Sequence, residues 1–124
     1  MDMLCSEDYN LMPLYKIIKY DRDNPSKELS SSTSSFGYSL VMEYVDSMYY
    51  QHLYPLLTPR EVQYYTYELL KAITYMHEKG IIHKDIKPHN VLIDREKKVL
   101  RLIDWGSADI YREGKYIGYH DDVT

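Results

Sequence analysis

Thr58-Pro59-Arg60-Glu61 carries every signal that opens a helix: Thr as N-cap, Pro at the first helical position, and Glu three residues on to close a capping box. From there Val62, Tyr65, Leu69, Ile73 and Met76 recur at steps of 3, 4, 4 and 3, one apolar stripe down a long helix. Gly80 stops it at the position where a left-handed residue is wanted. A helix bounded this sharply fixes the middle of whatever fold the chain adopts.

Around it the chain reads as strands. Residues 11–20, LMPLYKIIKY, are β-rich, with Ile17 and Ile18 flanked by Lys16 and Lys19 as on an edge strand. Residues 36–45, FGYSLVMEYV, alternate Tyr38, Leu40 and Met42 against Ser39, Val41 and Glu43, and are expected to pair with the first run. Between them the Ser-dense stretch 21–35 has no apolar period and reads as a loop insertion, longer than the two to five residues usual in a hairpin. Asp46 is expected to cap a short helix through Leu57. After Gly80 come two short β runs, 91–94 and 99–104, joined by the charged REKK turn of residues 95–98. Tyr49, Tyr50, Tyr64, Tyr65 and Tyr67 are read as core and rim of two packed helices.

Apolar residues make up 44% and charged residues 27%, which is a globular mixture, and a formal net charge of −4 argues against a nucleic-acid-coating protein. The single Cys5 permits no intrachain disulfide, and no run reaches the roughly 18 apolar residues of a membrane span. With no basic and apolar leader at the N-terminus, the reading is a protein of the cytoplasm or nucleus, without a membrane or nucleic-acid partner.

Between Ile82 and Gly106 the polar residues are placed in a way that core packing does not explain: I-H-K-D-I-K-P-H-N-V-L-I-D, then V-L-R-L-I-D-W-G. Phosphoryl transfer from ATP needs a carboxylate to orient the attacking hydroxyl, a cation near the transferred group, and oxygen ligands for Mg²⁺. Asp85, Lys87, Asn90 and Asp104 supply that inventory on one loop and one strand end, with Gly106 for a tight turn. His77, His83 and His89 recur every six residues, a spacing that fits neither a helical pair nor a zinc finger, and are read as structural.

The order D-x-K-x-x-N followed by D-W-G resembles the catalytic and metal loops of protein kinases. Trp105 in the D-W-G, His89 in KPHN, and the runs LVMEYV, QHLYPLLT, YYTYELLKAITYMH and LRLIDWG are similar to the catalytic alpha subunits of casein kinase II. The resemblance runs from about Leu40 to Tyr111, and more loosely through residues 10–20. It implies an α+β, partial kinase-like fold: two N-lobe strands, a hinge, two C-lobe helices, the catalytic loop and a metal-loop hairpin. It implies ATP and Mg²⁺ as cofactors, Asp85 as catalytic base and Lys87 as the lysine neutralising the transferred phosphoryl. Asn90 and Asp104 become the Mg²⁺ ligands. Met42 becomes the gatekeeper, and the Glu43 carbonyl and Val45 amide the adenine contacts, with Leu92 and Ile103 beside the base. His83 and Trp105 become supports of the two loops. Protein substrates with acidic Ser/Thr sites follow, and a regulatory beta subunit that this chain is expected to bind weakly or not at all.

No G-x-G-x-x-G occurs among the five glycines and no V-A-I-K precedes the hinge. Residues 10–114 are therefore read as the central part of such a domain, after an N-terminal segment 1–9 and before a divergent tail 115–124, and as inactive alone. The stripe on the long helix is then expected to face a helical half not in the chain, leaving an apolar patch exposed. Two alternatives stay open. One is a non-catalytic binding fragment. The other is a small-molecule phosphotransferase of the aminoglycoside or choline type, against which Lys87 argues, since that lineage usually has His there.

Overall fold

The computed structural model describes residues 9–23 and 35–111. Residues 1–8, the greater part of the Ser-rich insertion and the tail 115–124 lie outside the described residues. The elements are β1 (Leu14–Asp21), β2 (Phe36–Met42), α1 (Tyr50–Leu53), a 3-10 turn (Tyr54–Leu56), α2 (Pro59–Glu78), β3 (Ile81–Ile82), a second 3-10 turn (Pro88–Asn90), β4 (Val91–Asp94), β5 (Val99–Leu102) and β6 (Asp109–Ile110). The architecture is α+β. Three antiparallel two-stranded sheets, β1–β2, β3–β6 and β4–β5, are strung around one long helix.

α2 begins and ends where its local chemistry dictates. The Thr58 hydroxyl accepts from the Glu61 amide, and the Glu61 carboxylate accepts from the Thr58 amide at 2.8 Å. Gly80, at φ +71°, closes the other end with its amide on the His77 carbonyl at 2.9 Å. The stripe needs correction. Tyr65, Ala72 and Met76 are buried with Leu69 packed beside them, whereas Val62 is 49% exposed. The buried face lies against Leu100 and Leu102 of β5, Val91 and Ile93 of β4, and Leu11, so the hairpin and not an absent helical half covers it. The exposed apolar residues of α2 are Val62, Tyr64, Tyr67 and Leu70.

Asp46 caps nothing. The helix starts at Tyr50, with Tyr49 as N-cap and no side-chain cap, because residue 47 is tied elsewhere: the Ser47 hydroxyl accepts the Ile93 amide of β4 at 2.9 Å, which keeps the chain extended. The strand after the insertion ends at Met42 and β5 at Leu102, both shorter than their sequence runs. The tyrosines do not form one interface between two helices. Tyr65 is core, Tyr64 reaches the Lys98 carbonyl, and Tyr49 and Tyr50 turn to His89. The REKK turn is anchored: Arg95 forks onto Glu61 at 2.6 and 3.0 Å and ties the hairpin tip to the start of α2.

β1 and β2 pair as expected, from Asp21↔Phe36 to Leu14↔Met42 with a bulge between Leu14 and Lys16. One face carries Ile17, Leu40 and Tyr38, all exposed. The sheet joins the rest through Pro13, whose carbonyl accepts the Glu43 amide at 3.2 Å, and through Leu11, fully buried and bridged to Leu102.

Candidate active site

The loop that follows β3 is built on one buried imidazole. His83 is 1% exposed, its Nε2 donates to the Ile103 carbonyl at 2.9 Å and its Nδ1 accepts the Asp85 amide at 3.3 Å, which assigns the ring proton to Nε2. Its ring lies 5.0 Å from that of Trp105. Lys84, between His83 and Asp85, takes φ +66°, and its Nζ stands 3.6 Å from the Asp109 carboxylate.

Asp85, Lys87 and Asn90 come together in direct contact. Lys87 Nζ donates to Asp85 Oδ2 at 2.7 Å, and Asn90 Nδ2 donates to the same oxygen at 2.9 Å and to the Asp85 carbonyl at 2.8 Å. The Lys87 bond, aided by that of Asn90, holds the Asp85 carboxyl below the usual carboxylate range, and Asp85 in turn raises Lys87. With its side chain 31% exposed, the Asp85 carboxylate stays ionised and open to an incoming donor. Asn90 is 4% exposed and is the hub: its amide donates to the Lys87 carbonyl and its carbonyl accepts the Ile103 amide, both at 2.9 Å.

That last bond places the Pro88–Asn90 turn beside Asp104, one residue past Ile103. Asp104 is exposed, takes φ +64°, and accepts the Gly106 amide on Oδ1 at 3.3 Å. A side chain at Gly106 would crowd the same oxygen, since its Cβ would stand 3.3 Å away. Asp104 also adds to the negative field that raises Lys87. The donor set suits a hard cation. Asn90 has committed Nδ2 to Asp85, which leaves Oδ1 as its acceptor, and Asp104 offers a carboxylate; Mg²⁺ characteristically takes one or two such protein ligands and completes its shell with phosphate and water. Among the described residues no group of three His, Cys, Asp or Glu gathers for a metal, and the three histidines of residues 77–89 stand in separate surroundings.

The segment 42–45 lies across the sheet connection. Met42 is 48% exposed, Val45 is half-buried and its carbonyl accepts the Ser47 amide at 2.9 Å. Leu92 and Ile103 are half-buried. The Glu43 side chain is engaged by a residue that sequence reasoning passed over: Arg101 Nε and Nη2 fork onto its two oxygens at 2.6 and 3.2 Å. Arg101 is the cross-strand partner of Leu92, so the pair ties the segment to the hairpin that carries the site. A lone charge inside the apolar run V-L-R-L-I was the available signal, because a buried charge requires a partner. The model of the protein kinase domain family matches residues 14–123 of the chain.

Proposed function

The chain belongs to the protein kinase domain family, and on that premise we propose that it carries the catalytic and metal loops of a Ser/Thr protein kinase of the casein kinase II alpha type. One observation carries the chemistry: a single ionised carboxylate, Asp85, gripped by Lys87 from one side and by the buried Asn90 from the other, with Asn90 hydrogen-bonded to the strand end that leads into Asp104. In this reading Asp85 orients the substrate hydroxyl and accepts its proton. Lys87, released towards the transferred phosphoryl, balances its charge. Asn90 Oδ1 and the Asp104 carboxylate would hold Mg²⁺, whose contribution is to neutralise the phosphate oxygens of ATP. Met42, Glu43 and Val45 would present the adenine edge, with Leu92 and Ile103 against the base. Support for the finer type comes from the Trp105 of D-W-G and the His89 of KPHN.

The substrates proposed are Ser or Thr sites followed by acidic residues, and the compartment is the cytoplasm or the nucleus. No helix among the described residues is long and apolar enough to cross a membrane. A regulatory beta subunit would meet β1 and β2 here, whose connection is longer than a usual hairpin. Its binding is proposed to be weak or nil.

The test uses the single tryptophan. Trp105 emission, one residue from Asp104, is expected to respond to ATP more strongly with Mg²⁺ than without, and Asp104→Asn to erase the Mg²⁺ dependence. An emission response that Asp104→Asn leaves unchanged would sink the assignment.

A further inference from the structure

One side chain of the catalytic turn has no part in the chemistry above. His89 immediately precedes Asn90 and is exposed, yet two rings from the start of α1 grip it. Tyr50 meets it edge-on with centroids 4.5 Å apart, and Tyr49 faces it at 6.1 Å with its hydroxyl 3.4 Å from Nε2. Tyr49 and Tyr50 themselves tilt together at 4.9 Å, Tyr50 is edge-on to Tyr54 at 5.7 Å and Tyr49 is edge-on to His52 at 6.3 Å, so His89 joins a cluster of five rings. The same two segments wall a cleft of about 180 Å³ that includes Ser47, Pro88 and Leu92.

The grip matters because of what the turn otherwise lacks. Pro88–Asn90 is a single 3-10 turn, a weak element on its own, and Lys87 gives it no side-chain cap. Asn90 is bonded onward to Ile103 and sideways to Asp85, while on the preceding side His89 is clasped by Tyr49 and Tyr50. Aromatic rings in edge-to-face geometry attract beyond their contact area, because the positive edge of one meets the negative face of the other. A ring fixed at residue 89 therefore fixes the backbone from which the Asn90 amide reaches Asp85.

We propose that Tyr49 and Tyr50, acting through His89, are positioning residues of the phosphotransfer site, holding the Pro88–Asn90 turn so that the Asn90 amide stays on Asp85. The consequence for phosphotransfer rests on the function proposed above; the clasp itself does not.

The deciding measurement is hydrogen exchange of the side-chain amides in the ¹⁵N-labelled chain. Asn90 Nδ2 bonds to Asp85, and Asn10 Nδ2, which bonds to the Glu68 carbonyl and carboxylate, is the internal reference. Tyr50→Ala and His89→Ala are expected to accelerate exchange at Asn90 by up to about tenfold, the scale of one net hydrogen bond, and to leave Asn10 unchanged. His89→Phe, which keeps a ring in the clasp, is expected to exchange near the wild-type rate. A merely loosened fold accelerates both amides; that result, or an unchanged Asn90 rate in both alanine variants, overturns the inference. If Tyr50→Ala does not fold, Tyr50→Leu, which retains bulk without a π face, decides by the same comparison. In a second arm, Mg²⁺-dependent ATP affinity read from Trp105 should fall about tenfold in the alanine variants, the scale set by groups that orient metal ligands. Unchanged affinity beside accelerated Asn90 exchange would overturn the positioning role. A wild-type chain with no affinity for Mg-ATP would instead remove the phosphotransfer reading, and the exchange arm would still judge the clasp.

Discussion

Arg101 and Glu43 make the sharpest energetic test, because the two ends of their ion pair are buried to different degrees. The Arg101 side chain is 7% exposed and its remaining contact is a hydrogen bond from Nη1 to the Leu100 carbonyl at 3.1 Å. The Glu43 side chain is 22% exposed. Glu43→Leu strands a guanidinium that cannot discharge, among apolar strands, and should cost about 3–5 kcal/mol, the range for breaking a buried pair. Arg101→Met strands a carboxylate that can still reach water, and should cost less, about 1–3 kcal/mol. The double variant removes both charges and should recover most of the loss, since an apolar pair of similar volume is often neutral. Urea unfolding followed by Trp105 emission and far-ultraviolet circular dichroism would measure all four corners of the cycle. On a domain whose total stability is only about 5–15 kcal/mol, a loss of that size is a large fraction and should lower the urea midpoint of Glu43→Leu well below that of Arg101→Met. Equal small losses in the two single variants, or a double variant no better than their sum, would refute the argument.

The acid dependence of the α2 start has a definite sign. Arg95 first, and then Thr58, hold Glu61 from its usual 4.5 down to about 2, so its contribution is present above about pH 4.5 and is lost as pH falls through about 2. The difference in Tm between wild type and Glu61→Gln should close over that interval and shrink in high salt; a difference independent of pH would contradict the assignment. Backbone handedness gives a pair of opposite outcomes: Gly80→Ala, at φ +71°, should cost about 1 kcal/mol, and Lys98→Gly, at φ +56°, should gain up to about 1 kcal/mol, both read as urea midpoints. Expressed alone, the 124 residues should transfer no detectable phosphate from Mg-ATP to an acidic Ser peptide, because they contain no glycine-rich loop to cover the phosphates. Turnover that Asp85→Asn abolishes would show that prediction wrong.

Sequence reading succeeded where the determinants are local. The capping box, the terminal glycine and the β4–β5 hairpin each close within a few residues, and the structure reproduces all three. It failed where a distant partner decides. Asp46 looked like a cap, but the Ser47 hydroxyl answers to an amide 46 residues away, and nothing near residue 47 announces that bond. Val62 continues the stripe in period yet is 49% exposed and lies outside the core, whereas Ala72, too small to mark a stripe, is fully buried. The site divides in the same way. Asp85, Lys87 and Asn90 share one loop, so their spacing announced their contact, whereas the links from Glu43 to Arg101 and from Tyr50 to His89 cross between elements and have no fixed spacing.

The backbone explains why a histidine stands at the start of this loop. Lys84 and Asp104 both take left-handed conformations, at φ +66° and +64°, and such conformations cost an L-residue about 1–2 kcal/mol each. Asp tolerates the region through its short polar side chain; Lys has no such help. His83 is bonded on the inner side of both: its Nδ1 takes the amide of Asp85, just after Lys84, and its Nε2 gives to the carbonyl of Ile103, just before Asp104. One neutral imidazole thus holds two strained residues at once, which needs an acceptor and a donor on opposite sides of a rigid ring, a combination that His supplies and Phe or Leu does not. The ring is buried, and its contact with Trp105 fixes its plane. Strain at these two positions is therefore sustained by the packing around His83.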